Sequence, residues 1–160
     1  RKFIYTSKAA HLLVMSELLC RGWNVSIPEV DVGDDIFVVK DKTRDFIPVQ
    51  VKYSVCKNNG KGRFSSQFQI PIKQIEEAKT PDLVYIFVTR YKEEWKSFII
   101  ISRRDIDILR SDTQKPLGTI NKKYLHLTLN FVGNNKCSCS KVDLKDYLNN
   151  WNDFPLVLNP

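Results

Sequence analysis

The stretch from Asp34 to Ser54 constrains this chain more than any other. It holds two short apolar runs joined by a polar turn. Ile36 to Val39 is the first run, Asp41, Lys42, Thr43 and Arg44 supply the turn, and Phe46 to Tyr53 is the second. In the second run Ile47, Val49 and Val51 alternate with Pro48, Gln50 and Lys52, the period of a half-buried strand. Residues two apart on a strand share a face, so Gln50 and Lys52 project together. A hairpin brings Asp35, at the start of the first strand, beside them. A carboxylate, an amide oxygen and an ammonium then converge on one spot. That set suits holding a divalent cation against a phosphodiester.

The residues before the hairpin read as helix, strand and acidic loop. Ser7 to Leu19 is the helix, with Thr6 or Ser7 expected to cap it. It is apolar round most of its circumference, through Ala9, Ala10, Leu12, Leu13, Val14, Met15, Leu18 and Leu19, which predicts extensive burial. Cys20 is expected in the core, and Gly22 closes the helix. Trp23 to Ile27 is a strand with Val25 and Ile27 on one face. Pro28 to Asp34 is a loop carrying Glu29, Asp31 and Asp34, and Gly33 turns the chain into the hairpin. Asp34 and Asp31 are alternative metal ligands; a solvated loop is the favoured reading for Asp31 and Glu29. His11 and Glu17 are polar residues on the apolar helix. His11 reads either as a partly buried residue with a local hydrogen bond or as a member of the site.

Beyond the hairpin, Cys56 to Ser66 reads as a basic, Gly-containing loop, either a phosphate-touching segment or an ordinary surface hairpin. Phe64, Phe68 and Ile70 alternate with Ser66, Gln67 and Gln69 as a strand resumes. Pro71 interrupts it, and Ile72 to Ala78 is a short helix. Leu83 to Val88 is the most hydrophobic strand and is expected to be central. Ser97 to Ile101 is a further strand. Ser102 caps a helix from Arg103 to Arg110, with Arg103 and Arg104 read as surface residues and mild candidates for phosphate contacts. Lys122 to Phe131 is a strand, Asn134 to Ser140 a polar loop, and Val142 to Trp151 a last helix with Leu144, Tyr147, Leu148 and Trp151 on one face. The order predicts an α/β protein, a mixed β-sheet flanked by α-helices, in one domain spanning 1–160.

Several classes are excluded. No apolar run approaches the ~20 residues that span a bilayer, and no secretory signal precedes the first helix, so a cytoplasmic location with reduced thiols is expected. Cys137 and Cys139 lie in Cys-x-Cys, and no pair has the spacing of a structural zinc site. There is no Gly-rich nucleotide loop, no nucleophile elbow, and only 2 histidines. The net charge of +7 suits a polyanionic partner.

The order helix, strand, hairpin, with Asp35 opening one strand and Gln50-Val51-Lys52 on the next, resembles the PD-(D/E)XK superfamily of restriction-endonuclease-like nucleases. Holliday-junction-resolvase-like and homing-endonuclease members share the pattern. The resemblance covers roughly the first third of the chain. It implies a restriction-endonuclease-like fold and a metal-dependent DNA endonuclease using Mg²⁺ or Mn²⁺. In that chemistry Asp35, Gln50 and the Val51 carbonyl hold the metal, Lys52 orients the attacking water, and His11 completes the site from the helix. Two departures lower the charge of the site: Gln50 stands where many relatives have Glu, and His11 holds the place of a helix Glu. The alternative is a non-catalytic DNA- or protein-binding module that retains the fold. Cutting both strands of a duplex implies a homo-oligomer, in the simplest case a dimer.

Overall fold

The structure, a computed structural model, describes residues 2–30 and 33–157. Helix α1 runs Lys2–Cys20. It starts earlier than expected, so Thr6 and Ser7 lie inside it. Thr6 Oγ1 donates to the Phe3 carbonyl at 3.2 Å, a bond within the helix and not a cap. Ala10, Val14 and Leu18 are wholly buried at a spacing of four, one stripe facing the protein. Cys20 lies off that stripe and is exposed, contrary to expectation. Gly22 ends the helix with φ +87°, and a Cβ there would meet the Val157 side chain at 3.0 Å.

The first sheet contains β1 (Asn24–Ser26), β2 (Ile36–Lys40), β3 (Asp45–Val55), β6 (Val84–Tyr91) and β7 (Glu94–Ser102), in the order β1-β2-β3-β6-β7. The β2–β3 hairpin is antiparallel and β3–β6 is parallel, so the sheet is mixed, as expected. A parallel neighbour requires a crossover. The chain uses that crossover to begin a second sheet with β4 (Lys57–Gly60), β5 (Arg63–Pro71) and the short helix α2 (Ile72–Glu76). After β7 come α3 (Arg103–Arg110), β8 (Thr119–Asn121), β9 (Tyr124–Val132), β10 (Lys136–Cys139) and β11 (Val142–Asp143). The second sheet has the order β11-β10-β9-β5-β4, with β8 paired to β9. The segments read as loops at 56–66 and 134–140 are therefore largely strand.

Two cores result. One lies between the sheets, where Tyr85, Phe87, Ile99 and Ile101 meet Phe68, Ile70, Leu125, Leu127 and Leu129, with α2 and α3 closing it through Ile75 and Ile106. The other lies on the α1 side, where Ala10, Val14 and Leu18 meet Val38, Val49, Val51 and Ile86. Alternation along β6 and β7 feeds both cores, so the mixed sheet is covered by a helix on one face and by a sheet and two helices on the other.

Two further expectations are overturned. Val142 to Trp151 is not a helix. Val142 pairs with Cys139 across a tight turn where Ser140 has φ +56°, and a 3-10 turn at Lys145–Tyr147 follows. Asn149 then ties the segment to the β7 edge, donating its N–H to the Phe98 carbonyl and accepting the Phe98 N–H through its side chain. Leu144 is buried in the inter-sheet core and Trp151 in the helix-side core. A segment that must wrap a sheet edge to fill both cores cannot also be one straight helix.

The second correction is Arg103, which is 6% exposed and not a surface cation. Its guanidinium forms two hydrogen bonds to the Asp82 carboxylate, at 2.7 and 3.0 Å, and another to the Ile75 carbonyl. Ser102 caps α3 as expected, its hydroxyl accepting the Asp105 N–H at 3.0 Å. Burial pushes the Asp82 carboxyl up, but the hydrogen bond and charge of Arg103 and the Leu83 N–H outweigh it and hold it below its ordinary 3.8. A carboxyl depressed in the folded state contributes stability above its unfolded value and loses it as pH falls through the folded one. Asp82→Asn should therefore lower the melting temperature at neutral pH. It should also flatten the fall in melting temperature as pH is lowered below about 4, measured by thermal melts across that range.

Candidate active site

The site forms where β2 stops and β3 continues. Ile36, the first residue of β2, pairs with Val49, so Gln50 to Val55 keep β6 on one side and have no β2 residue on the other. Asp35 extends the ladder one step, its N–H donating to the Val49 carbonyl at 2.9 Å. Its carboxylate turns back onto β3. Oδ2 accepts the Val51 N–H at 2.8 Å and a hydrogen bond from Gln50 Nε2. His11 Nε2, on α1, lies 3.7 Å from the same oxygen. The His11 and Asp35 side chains are 21% and 13% exposed, so this meeting point is sheltered yet open to solvent. The N–H and C=O of one strand residue point the same way, which places the Val51 carbonyl on the same edge.

Gln50 is 7% exposed, and its amide is held at both ends. Gln74 on α2 donates to the Gly33 carbonyl at 3.1 Å and to Gln50 Oε1 at 3.2 Å. Because Gln74 directs both donors outward, Gln50 presents its oxygen to Gln74 and its NH₂ to Asp35. Lys52 lies two residues on, on the face of Gln50, half-buried and in register with Phe87. Of the expected set, the structure brings Asp35, Gln50, Val51 and His11 together, with Lys52 on the same strand face. Glu17 is elsewhere on α1, Glu29 is exposed, and Asp31 lies outside the described residues.

Three further residues border the cluster, Asp34 at the entry to the hairpin and Gln74 and Tyr85 from beyond it. Gln74 gave no sequence signal, since its contact spans 24 residues and no periodicity marks it. Asp34 Oδ1 is buried and, among the described residues, lacks a hydrogen-bond partner. The hydroxyl of the wholly buried Tyr85 also lacks one. Burial pushes the Tyr85 phenol well up; the charge of Arg103 opposes the shift, while Asp34 and Asp82 add to it. Tyr85 faces Gln50 in the β3–β6 register, so the two orphan groups border the same face.

The donors present are hard oxygens. Among the described residues no group of three or more His, Cys, Asp or Glu is placed to hold a metal ion by itself. A cation here would rest on Asp35 and Asp34, with the Gln50 and Val51 oxygens and water. That set fits Mg²⁺, which takes one or two carboxylates and keeps several waters, and the undonated Asp34 oxygen is the kind of atom a cation satisfies. To offer Oε1 beside Asp35, the Gln50 amide must turn over and give up its bond from Gln74.

Gln50→Glu should report on this directly. It replaces a donor to Asp35 with a second carboxylate, so without metal the protein should lose about 1–3 kcal/mol of stability. Millimolar Mg²⁺ should restore the melting temperature; a variant that melts alike with and without Mg²⁺ would show that no cation seats between residues 35 and 50.

No family model matches the sequence, and no curated protein matches it. Among solved structures the chain is similar to a bacterial homing endonuclease, I-Ssp6803I, with a TM-score of 0.50 and 19% identity over 91% of this chain and 85% of that one. It is also similar to Hjc, a Holliday junction resolvase from Archaeoglobus fulgidus, with a TM-score of 0.45 and 10% identity over 76% of this chain and 82% of that one. The likeness to the first structure is one of fold: a mixed α/β architecture also found in an endonuclease.

Proposed function

We propose that this chain is a metal-dependent DNA endonuclease of the PD-(D/E)XK type, hydrolysing phosphodiester bonds. The observation that supports this most directly is the convergence on Asp35 Oδ2 of the Gln50 amide, the Val51 N–H and His11, at the point where β2 ends, on a fold also seen in an endonuclease. Asp35 and Asp34 would hold Mg²⁺ or Mn²⁺ with the Gln50 and Val51 oxygens. The cation, when bound, polarises the phosphodiester and offsets its charge. Lys52 would orient the attacking water and stabilise charge developing on the phosphate. His11 faces Asp35 as a neutral or cationic group, so it adds no negative charge to a centre that phosphate must approach.

One observation favours a second reading, a non-catalytic DNA-binding module that retains the fold. The Gln50 NH₂ is directed at Asp35 and its oxygen at Gln74, a closed arrangement that needs no cation to be satisfied.

Plasmid cleavage in Mg²⁺ and Mn²⁺, with parallel DNA-binding measurements, separates the two. Asp35→Asn should abolish cleavage and leave binding intact or stronger, because it removes the metal and a charge that repels phosphate. Lys52→Ala should abolish cleavage and weaken binding slightly. Parent and Gln50→Glu proteins that both bind DNA and both fail to cut at millimolar metal would leave the binding module standing. Cutting both strands further calls for two sites, so light scattering on the DNA complex should show a homodimer or larger assembly. A monomer at high concentration, with and without DNA, would contradict this.

A further inference from the structure

The outer face of the second sheet has no role in the site described above. Its inward residues fill the inter-sheet core. Its outward residues on β5 and β9 are Arg63, Ser65, Gln67, Gln69 and Pro71, against Val132, Asn130, Thr128, His126 and Tyr124. Ser65 pairs with Asn130, Gln67 with Thr128, and Gln69 with His126, so hydrogen-bonding side chains stand opposite one another in consecutive rows. No Asp or Glu occurs on β4, β5, β8, β9 or β10. Asp143, opposite Ser138 on β11, is at the far edge. Lys57, Arg63 and Lys136 are exposed at one end, and Lys122 and Lys123 at the other.

The sheet also narrows in its middle. β4 pairs only with residues 63–65 of β5. β10 pairs with β9 from Leu129 onward, and β8 only up to His126. At the Gln67–Thr128 row the sheet is two strands wide. A concavity of about 330 Å³ lies there, lined by Gln67, Gln69, His126 and Thr128 over the Phe68 and Leu127 backbone. The Asn130 side chain donates to the Thr128 carbonyl at 3.3 Å, but among the described residues no hydrogen bond engages the side chains of Gln67, Gln69 or Thr128.

We infer that this two-stranded waist is a sequence-reading surface for duplex DNA, with Gln67, Gln69, Thr128 and His126 facing base edges in the major groove and the flanking Lys and Arg residues on phosphates. The inference rests on the DNA-directed function proposed above. The major groove admits a two-stranded β-ribbon and not a broad sheet, and an amide side chain can bond an adenine edge bidentately. Charge selects the partner: the face is basic and polar at its centre, with the exposed Tyr124 and Val132 at its two ends, and it lacks the aromatic and aliphatic centre of a protein interface. Position supports it too. β5 leads through Pro71 into α2, whose Gln74 bonds Gln50, so sequence reading and the candidate cutting site would keep a fixed spacing.

The test is selection of binding sites from random-sequence duplexes by the full chain without divalent metal. Affinities for the selected and a scrambled duplex are then measured across salt. Gln67→Ala/Gln69→Ala should lower the selected-to-scrambled ratio by about tenfold or more. Its scrambled affinity and melting temperature should be unchanged. Arg63→Ala/Lys136→Ala should weaken both duplexes alike and reduce the salt slope by about 2. A wild-type ratio near one, or a ratio unchanged in the double-Gln variant, overturns the assignment while leaving DNA cleavage in place. Preferential binding of single-stranded RNA by this face also overturns it. Failure of the wild type to bind any duplex at low salt would sink the proposed function itself.

Discussion

The candidate site depends on one bond, the Val51 N–H donated to the Asp35 carboxylate at 2.8 Å. A strand that outlasts its partner leaves backbone groups without a ladder, and a buried unpaired N–H is costly. Asp35, one residue before β2 begins, supplies the missing acceptor with its side chain. A hydrogen bond to a charged group contributes roughly 1.5–3 kcal/mol, more than the neutral ladder bond it replaces. The same bond fixes the carboxylate beside Gln50 and within reach of His11. Structural need and chemical placement are met by one residue.

The rest of the fold holds that edge in position. β3 is clamped on its other side by seven consecutive parallel pairs with β6. Its Val49 and Val51 side chains anchor it in the helix-side core, which orients Gln50 and Lys52 to the opposite face. α1 is held over the helix-side core by its buried stripe, and the C-terminal strap closes below it: Val157 N–H donates to the Arg21 carbonyl at 2.8 Å, and Trp23 Nε1 to the Pro155 carbonyl at 2.9 Å. α2 approaches from the second sheet and delivers Gln74. His11 and Gln74 thus reach the site from opposite faces of the mixed sheet, each carried by a separately packed layer.

Much of this was legible in local pattern. A continuous apolar run located β2, period-two alternation located β3 and β5, the turn residues located the hairpin, and together they put Asp35 beside Gln50. The apolar run at 83–88 was correctly read as a central strand, β6. Patterns failed where one segment serves two environments. Leu144, Tyr147, Leu148 and Trp151 carry helical spacing, yet two of them are buried in different cores, and spacing cannot say that a sheet edge lies between. Cys20 was misplaced because an apolar helix does not reveal which of its sides will be covered. Arg103 looked like a surface cation because its partners, Asp82 and the Ile75 carbonyl, are distant in sequence.

The sequence by itself determined the hairpin, the register of its alternation, and hence the meeting of Asp35 with Gln50 and the shared face of Gln50 and Lys52. Those relations are set by strand geometry over a few residues, which every copy of the pattern must obey. Only the tertiary structure decided that a second sheet covers the mixed sheet, that Gln74 turns the Gln50 amide toward Asp35, and that Asp34 and Tyr85 are buried with polar atoms unanswered. Those facts depend on which layers pack together. Packing is chosen by the summed burial of many distant side chains, and no single stretch of chain carries that sum.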